Sequence, residues 1–190
     1  MKKLFYIALA VACGLFVVSC ADPALDAEYG QTLVYMPQAT HNIGVDNNLN
    51  VNVSVSALNS APGKQTETTL GIYRSGTAPK ESFSVDLKVV PDTLAAAKAI
   101  ALTAGAPAKY DIYKTGILLA EDYYDALPDK LTVKDGERQA TTKLVLHDTE
   151  LVAAYAVGQI LLLPVRIENP TRYSLNESLA FTMVVVKIVD

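Results

Sequence analysis

The chain has 190 residues, which is the length of about one domain. Apolar residues make up 51% and charged residues 19%, and this composition excludes a disordered protein because enough apolar surface exists to offset the entropy of ordering. The net charge is −4 and there is no basic run, so the chain lacks the electrostatic attraction to phosphate on which nucleic-acid binding depends. Two cysteines and two histidines are too few and too separated to predict a zinc site or a disulfide framework.

The first 19 residues have the features of a secretory signal. Lys2 and Lys3 precede an apolar run over residues 4–18, which is shorter than the roughly 20 residues needed to span a bilayer as a helix. The run ends in Val17-Val18-Ser19-Cys20, the pattern of a lipoprotein cleavage box, which predicts cleavage before Cys20 and its acylation. Two or more acyl chains form a stable membrane anchor. The alternative is an ordinary signal peptide in which Cys20 has no role.

These features divide the chain into three parts. We predict a lipoprotein signal peptide at residues 1–19, an acidic tether from lipidated Cys20 over residues 20–30, and one domain at residues 31–190.

Alternation of apolar and polar residues predicts strands through most of the domain. The Asp135-Gly136 pair is a tight-turn signal from which the chain returns along the next strand. Two late runs are almost continuously apolar, as in central strands that are covered on both faces. The predicted strands are 32–36, 49–56, 68–73, 82–89, 131–134, 139–146 and the two late runs 159–167 and 179–189.

One alanine-rich segment interrupts the strands. Residues 92–104 predict a helix of about three turns, with Asp92 as its N-cap and Gly105 as its stop. A shorter helical turn is predicted at residues 151–155. Seven or more short strands with turns between them predict a mainly β fold, an immunoglobulin-like antiparallel β-sandwich with one inserted short helix.

Three passages carry a resemblance to a known family. They begin at Leu33 (Leu-Val-Tyr-Met-Pro), at Leu118 (Leu-Leu-Ala-Glu-Asp-Tyr-Tyr, followed by Asp135-Gly-Glu) and at Leu162 (Leu-Leu-Pro-Val-Arg-Ile-Glu). Their order and spacing are similar to those of a Bacteroidetes family of surface-lipoprotein domains of unknown function, found at the N-termini of polysaccharide-utilisation-locus proteins. The resemblance covers about residues 30 to 190 and implies the fold, without any catalytic residue to carry over.

The tether also resembles the acidic export signals of surface lipoproteins in these bacteria, through Asp22, Asp26 and Glu28. The resemblance therefore implies an outer-membrane, lipid-anchored protein that is exposed at the cell surface.

No arrangement typical of an enzyme is present. Glu121, Asp122 and Asp125 lie close together, but no apolar neighbours are placed to raise the pKa of any of them, and three acids in one loop are typical of a solvated turn. The chain has no Gly-x-Ser-x-Gly elbow and no Gly-rich phosphate loop. We predict no catalysis, no metal site and no cofactor.

Tyrosines near these acids suit a sugar-binding site. The chain has ten tyrosines and no tryptophan, and Tyr rings offer flat faces to the C–H groups of a sugar. The alternative is that these rings pack in the sandwich with their hydroxyls bound to backbone. The candidate glycan-binding residues are Tyr110, Tyr113, Tyr123, Tyr124, Glu121, Asp122 and Asp125.

We therefore expect a non-catalytic cell-surface lipoprotein that assists glycan capture or uptake. Its expected partners are the membrane through the lipid anchor, polysaccharide, other surface lipoproteins and transporter components, but not nucleic acid. The alternative is a structural or adhesive, fimbria-like module without glycan binding, whose late apolar strand at residues 179–189 pairs with a partner.

Overall fold

The computed structural model describes residues 31–40, 54–58 and 65–189. The predicted signal peptide, Cys20, the tether and residues 49–53 of the second predicted strand lie outside the described residues. No helix in the described part of the chain is long and apolar enough to cross a membrane.

Within those ranges the chain forms ten strands. The strand at Phe83–Val89 matches the predicted alternation, because Phe83, Val85 and Leu87 are buried and the intervening residues are not. The strands are β1 (Leu33–Tyr35), β2 (Ser54–Leu58), β3 (Glu67–Arg74), β4 (Phe83–Val89), β5 (Ile117–Leu118), β6 (Lys130–Val133), β7 (Gln139–Val145), β8 (Ile160–Glu168), β9 (Ser174–Leu175) and β10 (Phe181–Ile188).

The strands form two sheets that face each other as a sandwich. One sheet has the order β7-β3-β1-β9 and the other has the order β2-β10-β8-β4-β6, with β5 beside β8. This order follows the immunoglobulin layout, in which strands C, F and G are neighbours in one sheet, since β4, β8 and β10 take those places. The sandwich prediction is confirmed. The sheets are mixed rather than antiparallel, because the pairs β1–β9, β2–β10 and β5–β8 are parallel.

The Asp135-Gly136 turn does not close a hairpin. It carries the chain from one sheet to the other, because β6 pairs with β4 whereas β7 pairs with β3. Gly136 has a φ of +82°, where a residue without a Cβ is favoured, and its N–H donates to the Lys80 carbonyl over 2.7 Å. The tight turn is therefore confirmed, but a turn signal does not determine which sheet receives the returning strand.

The last long strand, β10, is an interior strand. It pairs with β8 along one side and with β2 along the other from Val184 to Ile188. β10 therefore has no free edge from Val184 to Ile188, which corrects the expectation of partner pairing over that part of residues 179–189.

Three short α-helices lie among the described strands: α1 (Pro91–Ala101), α2 (Asp111–Thr115) and α3 (Asp148–Ala154). The sequence predicted α1 and a shorter turn at α3, but not α2. Asp92 is not the N-cap of α1, because the helix begins at Pro91, which needs no N–H bond at the first position. Asp92 lies in the first turn, where its charge favours the helix dipole. Gly105, with a φ of +78°, lies beyond the helix end.

The apolar side chains form two clusters. The main core lies between the sheets and includes Val34, Ile72, Val85, Leu144 and Val184. The second lies on the outer face of the six-stranded sheet, where α1 and α2 cover β8 and β10. It consists of Leu94, Ala97, Ala101, Tyr110, Tyr113, Leu162, Phe181, Met183 and Val185. Coverage on both faces explains why β8 and β10 are almost continuously apolar, as predicted.

Candidate functional site

Two of the four candidate tyrosines belong to the second cluster. Tyr110 is the last residue of a 3₁₀ turn and Tyr113 lies in α2, with their ring centroids 6.1 Å apart at an interplanar angle of 43°. Tyr113 is fully buried and Tyr110 is 5% exposed. Burial raises the pKa of Tyr113, and its hydroxyl has no hydrogen-bond partner among the described residues. Neither ring presents a free face to solvent.

The other two tyrosines stand next to each other in the loop between β5 and β6. Tyr124 forms an isolated bridge with Leu146 and is 6% exposed, so its ring belongs to the main core. Tyr123 is half-buried and its ring meets Tyr155 edge-on, with centroids 5.3 Å apart. The core alternative therefore describes Tyr110, Tyr113 and Tyr124. Sugar binding near Tyr123 and the acids stays a prediction.

The predicted bond from a tyrosine hydroxyl to backbone occurs elsewhere, at Tyr173. Its hydroxyl donates to the Pro79 carbonyl over 2.6 Å and accepts from the Glu81 N–H. The guanidinium of fully buried Arg74 lies 5.2 Å from the centre of the same ring and donates to the Ala78 carbonyl. These contacts tie the loop between β3 and β4 to the loop before β9.

His147 binds the loop that contains Glu121, Asp122 and Asp125. The ring of His147 contacts the Asp122 carbonyl through Nδ1 and the Asp125 carboxylate through Nε2, each over 2.9 Å. A carbonyl and a carboxylate both accept hydrogen bonds, so the ring satisfies both partners when both nitrogens carry protons. The bond to Asp125 and then the bond to Asp122 raise the pKa of His147. Backbone bonds from His147 to Tyr123 and from Asp125 to Val145 add to this attachment.

A groove of about 420 Å³ lies between β4 and the loop that precedes β6. It combines carboxylates, an ammonium and an apolar floor, which are the materials of a small polar-ligand site. Burial, and then the charge of Glu121, raise the pKa of Tyr124. The lining residues are Leu87, Lys88, Val89, Glu121, Tyr124, Ala126, Leu127 and Asp129.

The groove brings together part of the predicted set. Glu121 and Tyr124 line it, whereas Asp122 and Asp125 are exposed outside it. Lys88, whose ammonium also binds Glu168 over 2.9 Å, was not predicted, because it comes from a strand that is distant in sequence. Among the described residues, no cluster of three or more His, Cys, Asp or Glu side chains could hold a metal ion.

Comparison with known proteins identifies the family. Residues 29–174 match the model of a family described as "-like, N-terminal domain". The chain belongs to this N-terminal domain family. The match spans the sandwich from just before β1 to the start of β9, and the predicted Bacteroidetes family is confirmed. No curated protein matches the chain.

Two solved structures share the fold of this N-terminal domain. A proposed carbohydrate-binding protein from Bacteroides ovatus has a TM-score of 0.56 and 13% identity, with 83% of this chain and 37% of that chain covered. Bacteroides thetaiotaomicron EndoBT-3987, solved with a Man5GlcNAc product, has a TM-score of 0.54 and 16% identity, with 82% and 30% covered. The chain therefore spans about a third of the length of these proteins. Identities this low show a common fold alone.

Proposed function

We propose that this chain is a non-catalytic, glycan-associated module at the cell surface, and that the groove beside β4 contacts the glycan. The observation that carries this proposal is the meeting of Glu121, Lys88 and Asp129 around one groove. The two proteins of similar fold support the choice of ligand class, since one is a proposed carbohydrate-binding protein and the other was solved with a glycan product.

The groove has suitable chemistry for sugar hydroxyls. The carboxylates of Glu121 and Asp129 accept hydrogen bonds from hydroxyl groups, and the Lys88 ammonium donates them. Val89 and Leu127 supply apolar surface for the C–H groups of the ring. A groove this open binds one or two sugar units weakly, in the millimolar range, where 1 mM corresponds to about −4 kcal/mol.

Weak binding becomes useful when several copies engage one polymer. We propose that acylation of Cys20 anchors the chain in the outer membrane and concentrates it at the surface, where multivalent contact with a polysaccharide raises the apparent affinity. We also propose that the module is not an enzyme, because the groove carboxylates of Glu121 and Asp129 are exposed to solvent rather than enclosed in a cleft that excludes water.

The test is affinity gel electrophoresis of the full chain, purified in detergent, through gels that contain polysaccharide. Glu121→Ala removes a carboxylate from the groove, and Asp122→Ala removes the neighbouring exposed carboxylate outside it. Asp122→Ala is a matched control because His147 contacts the backbone carbonyl of Asp122, not its side chain. We expect Glu121→Ala to reduce retardation and Asp122→Ala to leave it unchanged. Equal loss in both variants, or no retardation of the wild type by any polysaccharide, would contradict the proposal.

A further inference from the structure

The outer face of the four-stranded sheet carries a tyrosine pair. Tyr35 of β1 lies directly opposite Tyr73 of β3, and their ring centroids are 5.5 Å apart at an interplanar angle of 53°. The neighbours Val34, Ile72 and Arg74 are fully buried in the direction of the other sheet. Because successive side chains alternate between the faces of a strand, both tyrosines point outward, where they are half-buried.

Uncharged hydrogen-bonding side chains continue this row. Gln139 of β7 lies opposite Tyr73 on the side away from Tyr35, and Thr141 follows two residues later on the same face. Both are exposed. Three adjacent strands at about 4.8 Å spacing place the two rings and Gln139 within roughly 10 Å. Gln139 and Thr141 also line an open concavity of about 540 Å³ at this edge of the sheet.

The face carries no net charge on the described strands β1, β3 and β7. Its charged side chains there are Glu67 and Lys143, which bind each other over 2.7 and 2.9 Å. The concavity adds Glu137 and Arg138, again of opposite sign. A surface with paired charges, amide and hydroxyl groups, and aromatic rings complements a neutral ligand that has many hydroxyls and apolar C–H faces.

We propose that the Tyr35–Tyr73 face is a glycan-contact surface for a neutral polysaccharide, separate from the groove beside β4. Tyr35 and Tyr73 contact the C–H faces of neighbouring sugar rings, while Gln139 and Thr141 exchange hydrogen bonds with their hydroxyls. This inference rests on the proposed function and adds the substrate class, an uncharged chain long enough to cross two strands. Two contact surfaces on one module raise affinity for a polymer without either surface being tight.

The experiment is retardation of the full chain in gels that contain yeast mannan, barley β-glucan or xyloglucan, with polygalacturonate as the anionic arm. The variants are Tyr35→Ala, Tyr73→Ala and Tyr73→Phe. Tyr155→Ala is the matched control, since Tyr155 is also a half-buried member of a close tyrosine pair. We expect each alanine on the sheet face to weaken binding to a neutral polysaccharide about 2- to 10-fold, while Tyr73→Phe and the control retain it.

Several outcomes would overturn the inference. One is full retardation of Tyr35→Ala and Tyr73→Ala together with loss in Glu121→Ala, which would leave the proposed function standing and remove this face from it. Retardation by polygalacturonate alone would refute the neutral ligand. No retardation of the wild type would refute both proposals. Melting temperatures of every variant separate loss of a contact from loss of the fold. If a tyrosine-to-alanine variant unfolds, Gln139→Ala keeps the test valid, because it removes an exposed amide from the same face and should also weaken retardation.

Discussion

The two outer faces of the sandwich each carry a pair of tyrosines, and the pairs have similar geometry. Tyr110 and Tyr113 have ring centroids 6.1 Å apart on the six-stranded side, and Tyr35 and Tyr73 have centroids 5.5 Å apart on the four-stranded side. The first pair is buried with α1 and α2, whereas the second is half-buried on the open face of a sheet. Ring pairing therefore does not distinguish a core tyrosine from a surface tyrosine. The covering layer does.

The same contrast predicts how much the loss of a ring on each face should destabilise the fold. The helices turn the outer face of β8 and β10 into a second apolar core, so a lost ring there leaves a cavity. A ring lost from the open face exposes a little more sheet to water and leaves no cavity. Substitutions on the two sides should therefore differ in how much they lower the free energy of unfolding, and in the physical cause of that loss.

The largest effect is expected at Tyr113. Tyr113→Ala removes a fully buried ring and should lower the free energy of unfolding by about 3–5 kcal/mol. Tyr113→Phe removes a buried hydroxyl that has no partner among the described residues, so it should be neutral or stabilising. Chemical denaturation of both variants checks this pair, and a large loss in Tyr113→Phe would mean that the hydroxyl is bonded.

A smaller effect is expected at Gly116, where α2 leads into β5. A Cβ at this position would lie 2.4 Å from Leu162 Cδ1 and 2.6 Å from the Ile112 carbonyl oxygen, so Gly116→Ala should cost about 1–3 kcal/mol by overpacking. Gly105→Ala is the control, because a Cβ there meets nothing within 4 Å and the cost comes from its φ of +78° alone. Equal melting temperatures for wild type and Gly116→Ala would show that the helical layer does not pack tightly against β8.

On the open face, Tyr73→Ala should cost only about 0.2–1 kcal/mol, the range of a cross-strand pair. Urea denaturation of Tyr73→Ala and Tyr113→Ala under the same conditions measures the difference in stability between the two faces. If Tyr73→Ala destabilises the chain as much as Tyr113→Ala, the Tyr35–Tyr73 face is covered and cannot contact a ligand.

The smallest effect is a pH dependence centred on His147. Its folded pKa is raised above 6.5 by Asp125 and Asp122, with a further contribution from Glu150. Its stabilising contribution is therefore fully present below pH 6.5 and is lost as the pH rises through the folded pKa. The wild type should lose a little stability as the pH rises from 6.5 through the folded pKa of His147, and His147→Gln should not. Asp125→Asn should reduce the dependence, and an unchanged slope in either variant would refute the role of His147.

Local patterns predicted much of this fold. The alternation at Phe83, Val85 and Leu87 predicted which side of β4 is buried, because a strand's two faces are determined by a period of two. The continuous apolar runs predicted that β8 and β10 are covered on both faces. The destination of the chain after Asp135-Gly136 was not predictable in this way, because sheet membership depends on pairing with strands far away in sequence.

In the candidate site, too, local features were predictable and long-range features were not. The closeness of Glu121 and Tyr124 is local and was predicted, but the groove also needs Lys88 from β4, which is distant in sequence. The attachment of His147 to Asp125, 22 residues earlier, leaves no local signal either. The exposure of Tyr35 and Tyr73, as opposed to Tyr110 and Tyr113, depends on where the helices pack.

Hydroxyl-radical footprinting of the native full chain, read by mass spectrometry with and without the neutral polysaccharide that retards it most (yeast mannan, barley β-glucan or xyloglucan), tests the contrast between the two faces most directly. We predict oxidation of Tyr35 and Tyr73 that the polysaccharide reduces, and little oxidation of Tyr110 and Tyr113 in either sample. Oxidation of Tyr113 as fast as that of Tyr73, or no protection of Tyr35 and Tyr73 by the polysaccharide, would contradict the account.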